Sequence, residues 1–300
     1  MCLFQNGHRF LKIFLAVMAV VAIEIGMLGN TEARSAKDTK PAHGGTILFV
    51  PQDDRPTSYE QSAAAAQKLG YTVLMPPKTM LGGLEAGEPD ALWEWAEARA
   101  GEADAAVVST DSLIYGGLVA SRKHELSEEE LAERVDRIAR LKQLNPKMKV
   151  YAFGSLMRTP ASGPASGGEE PDYYMTYGAQ MFRRSGLLDK KDASGLSYGE
   201  QQELASLTDA VPSDVWNDWM GRREKNFAVD ENLIDYARQG TLDVFVLGKD
   251  DNAQHVGVVE VEQRRTAVLL YQLAALFETE RGVMLALSLL GVESLGVVRP

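Results

Sequence analysis

Cysteine is nearly absent from this chain: Cys2 is the only one in 300 residues. A lone thiol at the extreme N-terminus leaves the rest of the sequence without a disulfide, a catalytic thiol or a Cys-based metal site. Histidine is scarce too, with four copies and no His-x-x-x-His pair, so zinc is not expected. Of the four, His255 alone stands beside residues that suit a site. A Gly-x-Ser-x-Gly elbow and a Walker-type phosphate loop are both missing, which removes two familiar routes to hydrolysis and nucleotide binding. Basic charge is in deficit, with a formal net charge of −11. That is the reverse of a nucleic-acid footprint, so no nucleic-acid partner is expected. No cofactor motif is present and none is expected, apart from a carboxylate-bound Mg²⁺ or Ca²⁺ as an alternative.

What is present begins with an address. His8, Arg9 and Lys12 precede Ile13 to Ile25, which is apolar except for Glu24, and Thr31-Glu-Ala33 supplies small residues for a signal peptidase. Residues 1–33 are therefore expected to be a secretory signal. An uncleaved N-terminal anchor is the alternative, and the only membrane contact expected. Cys2 precedes the apolar run, so it does not suit a lipid acceptor. A cysteine-free export product fits a bacterial periplasm, cell surface or secreted location. Residues 34–45, polar and rich in Lys, Pro and Gly, read as a linker.

From Thr46 the pattern alternates. Short apolar runs at Ile47–Val50, Tyr71–Met75, Ala105–Ser109, Val150–Phe153 and Asp243–Leu247 predict strands. Helices are predicted over Ser58–Leu69 and Asp90–Ala100. A third, to Leu144, opens on the capping box Ser127-Glu-Glu-Glu130, with Leu131, Val135, Ile138 and Leu141 on one face. Such alternation implies an α/β fold with a parallel sheet. A closed barrel needs eight strands; five or six are legible, so the expected arrangement is an incomplete barrel-like or open doubly wound sheet. The α/β domain is placed at residues 46–280, with a helical and loop insert at about 158–242. Within the insert, Thr159–Pro171 reads as a long loop. Tyr173–Ser185, Glu200–Leu207 and Ser213–Phe227 read as helices, the last capped by Ser213. Tyr173, Tyr174, Tyr177, Trp216 and Trp219 would either stack on a ligand or pack the insert onto the domain. A further helix is expected at Glu260–Thr279, and residues 281–300 form an atypical tail.

The chemistry gathers where strands stop. Ile47-Leu-Phe-Val50 delivers Gln52, Asp53, Asp54 and Arg55; Ala105–Ser109 delivers Asp111; Asp243–Leu247 delivers Gly248-Lys-Asp-Asp-Asn252. In parallel α/β folds ligands bind at this edge, so one carboxylate-lined pocket is expected. Adjacent carboxylates repel, which raises the proton affinity of one of them, as acid/base chemistry requires. Asp250 and Asp251 are thus the catalytic candidates. Asp53, Asp54, Arg55, Asp111, Tyr115, Arg122, Arg158 and Asn252 would form the substrate-binding shell. The alternatives are local: Asp54 or Thr57 capping the first helix, and Arg55 pairing with its neighbours.

Val50-Pro-Gln-Asp-Asp-Arg-Pro56, Met75-Pro-Pro77, Leu81-Gly82, Ser109-Thr-Asp-Ser-Leu-Ile-Tyr-Gly-Gly-Leu-Val-Ala-Ser-Arg122 and Gly248-Lys-Asp-Asp251 together resemble the DUF4127 family of uncharacterised bacterial proteins. The resemblance runs from about Thr46 to Thr279 and implies homology without a mechanism. Family members run longer, and residues 281–300 do not resemble them, which points to a truncated or frame-shifted C-terminus. The functional expectation therefore rests on the residues. It is an exported hydrolase acting on a carbohydrate or cell-wall glycan by carboxylate acid/base chemistry, with a small molecule or glycan as its partner. The alternatives are a non-catalytic carbohydrate-binding or envelope protein, and a Mg²⁺- or Ca²⁺-dependent phosphoester hydrolase. The sequence leaves the oligomeric state open.

Overall fold

The computed structural model describes residues 44–249 and 295–298. The expected signal, nearly all of the linker, Asp250, Asp251, Asn252, His255 and the Glu260–Thr279 helix lie outside these residues, as does most of the tail. The described chain forms one open sheet, in the order β2-β1-β3-β4-β5-β6. Its strands are β1 (Gly44–Val50), β2 (Tyr71–Leu74), β3 (Ala105–Ser109), β4 (Lys149–Leu156), β5 (Val244–Lys249) and β6 (Leu295–Val298). The first five are parallel, and β6 pairs antiparallel with β5 at the edge. Of the two arrangements expected, the open one is found.

Helices cover both faces. Leu48, Val50, Ala106, Val108, Val150, Ala152, Phe245 and Leu247 point to one face. They meet Leu92, Trp93 and Ala96 of α2 (Pro89–Arg99), Leu131, Val135, Ile138 and Leu141 of α3 (Glu128–Leu144), and Val229, Leu233, Ile234 and Ala237 of α6 (Ser213–Arg238). On the other face Ile47, Phe49, Val107, Tyr151 and Val246 cluster with Ala66 of α1 (Glu60–Lys68). Strands buried on both sides explain why their sequences read as unbroken apolar runs rather than alternating ones. The α3 stripe at helical spacing is buried as predicted, and Ser127 and Glu130 close the capping box in both directions.

Because β1 is flanked by β2 on one side and β3 on the other, the strand order reverses between β1 and β3. In open α/β sheets the connections leaving two such strands run to opposite faces, and the crevice between their carboxyl ends is where ligands bind. That position is decided by topology alone.

The insert corrects several expectations. The helix expected at Tyr173–Ser185 is α4, Tyr174–Ser194; it continues through Gly186 because Leu187 and Asp189 keep a buried face. Next, α5 spans Tyr198–Ala210 and opens on a capping box of Ser197 and Glu200. Ser213 is not the N-cap of α6: Pro212 occupies that place, with no side-chain cap. Proline lacks the hydroxyl a cap needs, and Ser213 already lies inside the first turn. The helix also runs eleven residues past Phe227, and that second half is the crossover packed on the sheet. Of the five aromatics, Tyr174, Trp216 and Trp219 are buried in a separate cluster with Met181 and Val211, and Tyr173 and Tyr177 pack against it. They hold the insert together. Among the described residues no helix is long and apolar enough to cross a membrane.

Candidate functional site

Strand register sets the geometry of the carboxyl edge. Val50 pairs with Val108, so Asp53 and Asp111 each lie three residues beyond a level pair of strand positions. Both are buried. Their surroundings differ, and the difference decides what each can do.

Asp53 is closed by its own neighbour. Its Oδ1 accepts the Arg55 backbone N–H at 3.0 Å, and its Oδ2 accepts Arg55 Nε at 2.8 Å together with Nη2. The Arg55 side chain is half exposed, so the pair spans from the crevice floor to solvent. Local pairing, one of the alternatives at the sequence level, is what forms. Asp54 is half buried, and its backbone N–H donates to Gly82 O at 3.0 Å, tying the β1 loop to the β2 loop. Neither Asp54 nor Thr57 caps α1, which starts two residues later than expected behind Tyr59 and has no side-chain cap.

Asp111 opens a short π-helical turn, Asp111–Tyr115, that ends on Gly116 at φ +91° and Gly117 at φ +138°. These angles suit glycine because a Cβ would clash with the backbone. The turn is pinned from outside: Trp93 Nε1 donates to Leu113 O at 2.9 Å and Arg134 Nη1 to Ile114 O at 2.6 Å. Asp111 Oδ2 accepts a 2.7 Å hydrogen bond from Gln52 Nε2, which also donates to Ser155 Oγ at 3.0 Å. Ser112 Oγ lies 2.7 Å from Pro51 O and 2.8 Å from Gln52 O, and Thr110 Oγ1 donates to Phe153 O at 3.2 Å. Gln52, Ser112 and Ser155 thus sew the ends of β1, β3 and β4 into one polar floor.

Full burial pushes the Asp111 carboxyl up to about 6, against the opposing pull of Gln52, Arg122 and Ser155. Desolvation wins because a carboxylate loses most of its hydration in a dry site and one or two donors replace only part of it. The group therefore exchanges its proton near neutral pH.

A second buried charge cluster adjoins Asp111. Arg122 comes from the one-turn helix Ala120–Lys123, Arg158 follows β4, and Arg223 lies on α6. Glu169 and Glu170 close the loop of residues 159–171 onto them. Arg122 Nη1 and Arg158 Nη2 both donate to Glu169 Oε2 at 2.7 Å, and Arg158 Nε stands 4.0 Å from Glu170 Oε1. Arg223 Nη1 donates to Met157 O at 3.2 Å and Nη2 to Arg158 O, while its guanidinium lies 4.1 Å over the Trp219 ring. Burial raises the Glu170 carboxyl above its usual range despite the three arginines.

Tyr115 turns into the core instead of the crevice, with its ring 5.0 Å from that of His124. Burial moves its phenol well above its usual range. His124 is held to about 4, first by burial and then by nearby Lys225, Arg222 and Arg134. Its Nδ1 accepts the Leu126 N–H, so its Nε2–H donates to Asn226 Oδ1 at 2.7 Å.

Of the sequence-predicted residues, the structure therefore brings Asp53, Asp111, Arg122 and Arg158 to the carboxyl edge, keeps Asp54 and Arg55 on its rim and places Tyr115 behind it. Ser155, Glu169, Glu170 and Arg223 belong to the edge and were not singled out, and Gln52, placed at the strand end by the sequence, was given no role there. Gln52 and Ser155 carried a usable signal, since each sits at a strand end; Arg223 carried none. Among the described residues no group of three or more His, Cys, Asp or Glu is arranged to hold a metal. No curated protein and no solved structure matches the chain. One family model does, over residues 47–282, and that span takes in nearly all of the five parallel strands, the insert and every strand-end motif: the chain belongs to DUF4127, described as a protein of unknown function.

Proposed function

We propose that this protein is an exported hydrolase that cleaves a carbohydrate or cell-wall glycan by carboxylate acid/base chemistry in the crevice between β1 and β3, with Asp111 as the proton-bearing group. The observation that carries the reading is the setting of Asp111. It is a buried carboxyl held by Gln52 and Ser155 at the point where the strand order reverses. Ligands of open α/β sheets bind in that crevice, and a carboxyl that titrates near neutral pH suits general acid or base work. Asp53, whose carboxyl is taken up by the Arg55 guanidinium, suits electrostatic support in place of proton transfer. Hydrolysis of this kind uses two carboxyl groups. Asp250 and Asp251, which follow β5 directly in sequence, keep their place as candidates for the second.

Export is part of the same proposal. It is supported by the basic segment and apolar run of residues 1–33 and by the lack of cysteine after Cys2. Mass spectrometry of material from the envelope or medium should find an N-terminus near Arg34, and a product retaining Met1 would overturn it.

The activity is tested by screening peptidoglycan fragments and N-acetylated glycosides with the wild-type protein, then repeating the productive assay with Asp111→Asn. Turnover should fall by about 10²–10⁴-fold, the usual worth of a general acid or base, with thermal melting unchanged or improved. Wild-type-like turnover in Asp111→Asn would remove Asp111 from the chemistry. Glycan binding without turnover in the wild type would favour the non-catalytic reading.

A further inference from the structure

Trp93 and Trp219 are equally buried, each 2% exposed, but only one of them has its N–H satisfied. Trp93 Nε1–H donates to Leu113 O at 2.9 Å, whereas Trp219 Nε1–H has no acceptor among the described residues. A buried indole N–H usually finds a partner, because a donor stripped of water and left unpaired is costly. The Trp219 ring is nonetheless fixed in place. The Arg223 guanidinium lies 4.1 Å over it, and the rings of Trp216 and Tyr174 pack at 5.5 and 6.2 Å. The same ring borders a cavity between α4, α6 and the end of β4, walled chiefly by Leu156, Met157, Leu188, Trp216, Met220 and Phe227. The cavity is partly open, and exposed Glu224 and half-buried Leu188 and Met220 mark the side that meets solvent. Other polar groups in its wall are engaged. Ser185 Oγ donates to Met181 O at 2.7 Å, and Asn226 is bonded to Ser121 O and His124. Arg223 is spent on Met157 O, Arg158 O and the Trp219 ring.

We infer that this cavity binds the acetamido group of a ligand, with the methyl against the apolar walls and the carbonyl oxygen accepting the Trp219 Nε1–H. Size sets the first limit. The cavity encloses about 70 Å³, where a water needs only ~10–15 Å³ and an engineered apolar cavity that holds benzene has about 150 Å³. The space takes a group of a few non-hydrogen atoms and excludes a whole sugar ring. Chemistry sets the second. Walls this apolar would strip a carboxylate or ammonium of its hydration, so the occupant is neutral. A plain hydrocarbon group would leave the Trp219 donor unpaired, and a hydroxyl would pair it but bring a proton of its own to be accepted. A carbonyl with a methyl attached meets both demands. N-acetylated sugars carry this group, and so do N-acetylated peptide ends. Leu156 directly follows Ser155 of the polar floor, so the cavity lies one residue along β4 from the β1–β3 crevice. The inference concerns binding and rests on the cavity alone, so it stands whether or not the protein is a hydrolase.

The test uses the whole chain with isotope-labelled tryptophan, N-acetylglucosamine and N-acetylalanine amide as probes, and glucosamine and glucose as controls. Four tryptophans give four indole N–H signals in the NMR spectrum, and Trp219→Phe identifies its own by loss. An acetylated probe should move the Trp219 signal downfield, as a new hydrogen bond does, and leave that of Trp93 in place; the controls should move neither. By calorimetry, Trp219→Phe, which keeps the ring packing and removes the N–H, should bind the effective probe about tenfold more weakly. Leu188→Trp, which fills the space from a half-buried position, should abolish binding. A response to N-acetylglucosamine alone identifies an acetylated sugar, and one to the amide alone an acetylated peptide end. If Trp219→Phe does not fold, the wild-type titration and Leu188→Trp decide. A Trp219 signal that ignores both acetylated probes, or answers glucosamine equally, would overturn the inference. So would probe affinity that survives unchanged in the folded variants.

Discussion

Asp243 precedes β5 at the amino edge of the sheet, and Asp111 follows β3 at the carboxyl edge. Asp243 accepts hydrogen bonds from Lys142, Lys149 and the Val150 N–H, at 2.8, 2.7 and 2.8 Å. Burial alone would raise its carboxyl, but these donors outweigh burial and hold it below its usual value. Asp111 is buried more deeply, and the same competition goes the other way, to about 6. At the amino edge two lysines and an amide stabilise the ionised form; at the carboxyl edge burial shifts the balance toward the neutral form. A carboxylate arranged like Asp243 ties elements together. One arranged like Asp111 is kept ready to gain or lose a proton, at some expense in stability. The two ends of one sheet are thus specialised, one for cohesion and one for chemistry.

The largest expected effect lies in activity. Asp111→Asn should lower turnover by about 10²–10⁴-fold, whereas Asp243→Asn should leave the kcat of the folded protein near wild type. A matched loss in both would erase the distinction between the edges.

Stability against pH sharpens it next. The folded-state pKa of Asp111 is raised, so the native form binds the proton more tightly than the unfolded chain. Its contribution is therefore fully present below about pH 4 and is lost as pH rises through about 6. At roughly 1.4 kcal/mol per unit, the wild type should lose up to about 3 kcal/mol relative to Asp111→Asn across that window. For Asp243 the sign reverses: its lowered pKa gives stability present above the usual carboxylate range and lost as pH falls below it. Urea melts of the two Asn variants between pH 3 and 8 should show difference curves of opposite slope. Parallel curves would refute the assignment.

At fixed neutral pH, Asp243→Ala should cost about 2 kcal/mol, since it strands the Val150 N–H and a partly buried lysine together. The smallest effect concerns helix starts. Ser127→Ala removes a formed capping box and should cost about 1 kcal/mol, while Ser213→Ala removes no cap and should cost less than about 0.5 kcal/mol. Equal losses would show that Ser213 does more than its position allows.

The same contrast explains what was legible. The Ser127 box and the Leu131, Val135, Ile138 and Leu141 stripe were readable because helical spacing and capping are local properties. Strand ends were readable for a similar reason: an apolar run that stops in carboxylates delivers them to one edge once the sheet is parallel. The reach of α4 and α6 was not readable. Their continuation past Gly186 and Phe227 depends on what lies beneath them, as with Val229, Leu233, Ile234 and Ala237 on the sheet. The insert aromatics left two readings open, and packing decided between them.

By itself the sequence determined the five parallel strands, the α/β class, the acidic character and the set of polar residues that leave each of them, but not the antiparallel β6. Local periodicity and covalent order are enough for those. Tertiary structure alone decided that β1 and β3 flank the point of reversal, that Gln52 reaches Asp111 and Ser155, and that Glu169 and Glu170 fold back onto Arg122 and Arg158. These contacts join residues up to about a hundred positions apart, and their energies come from desolvation. Desolvation exists only once the chain has closed around the group.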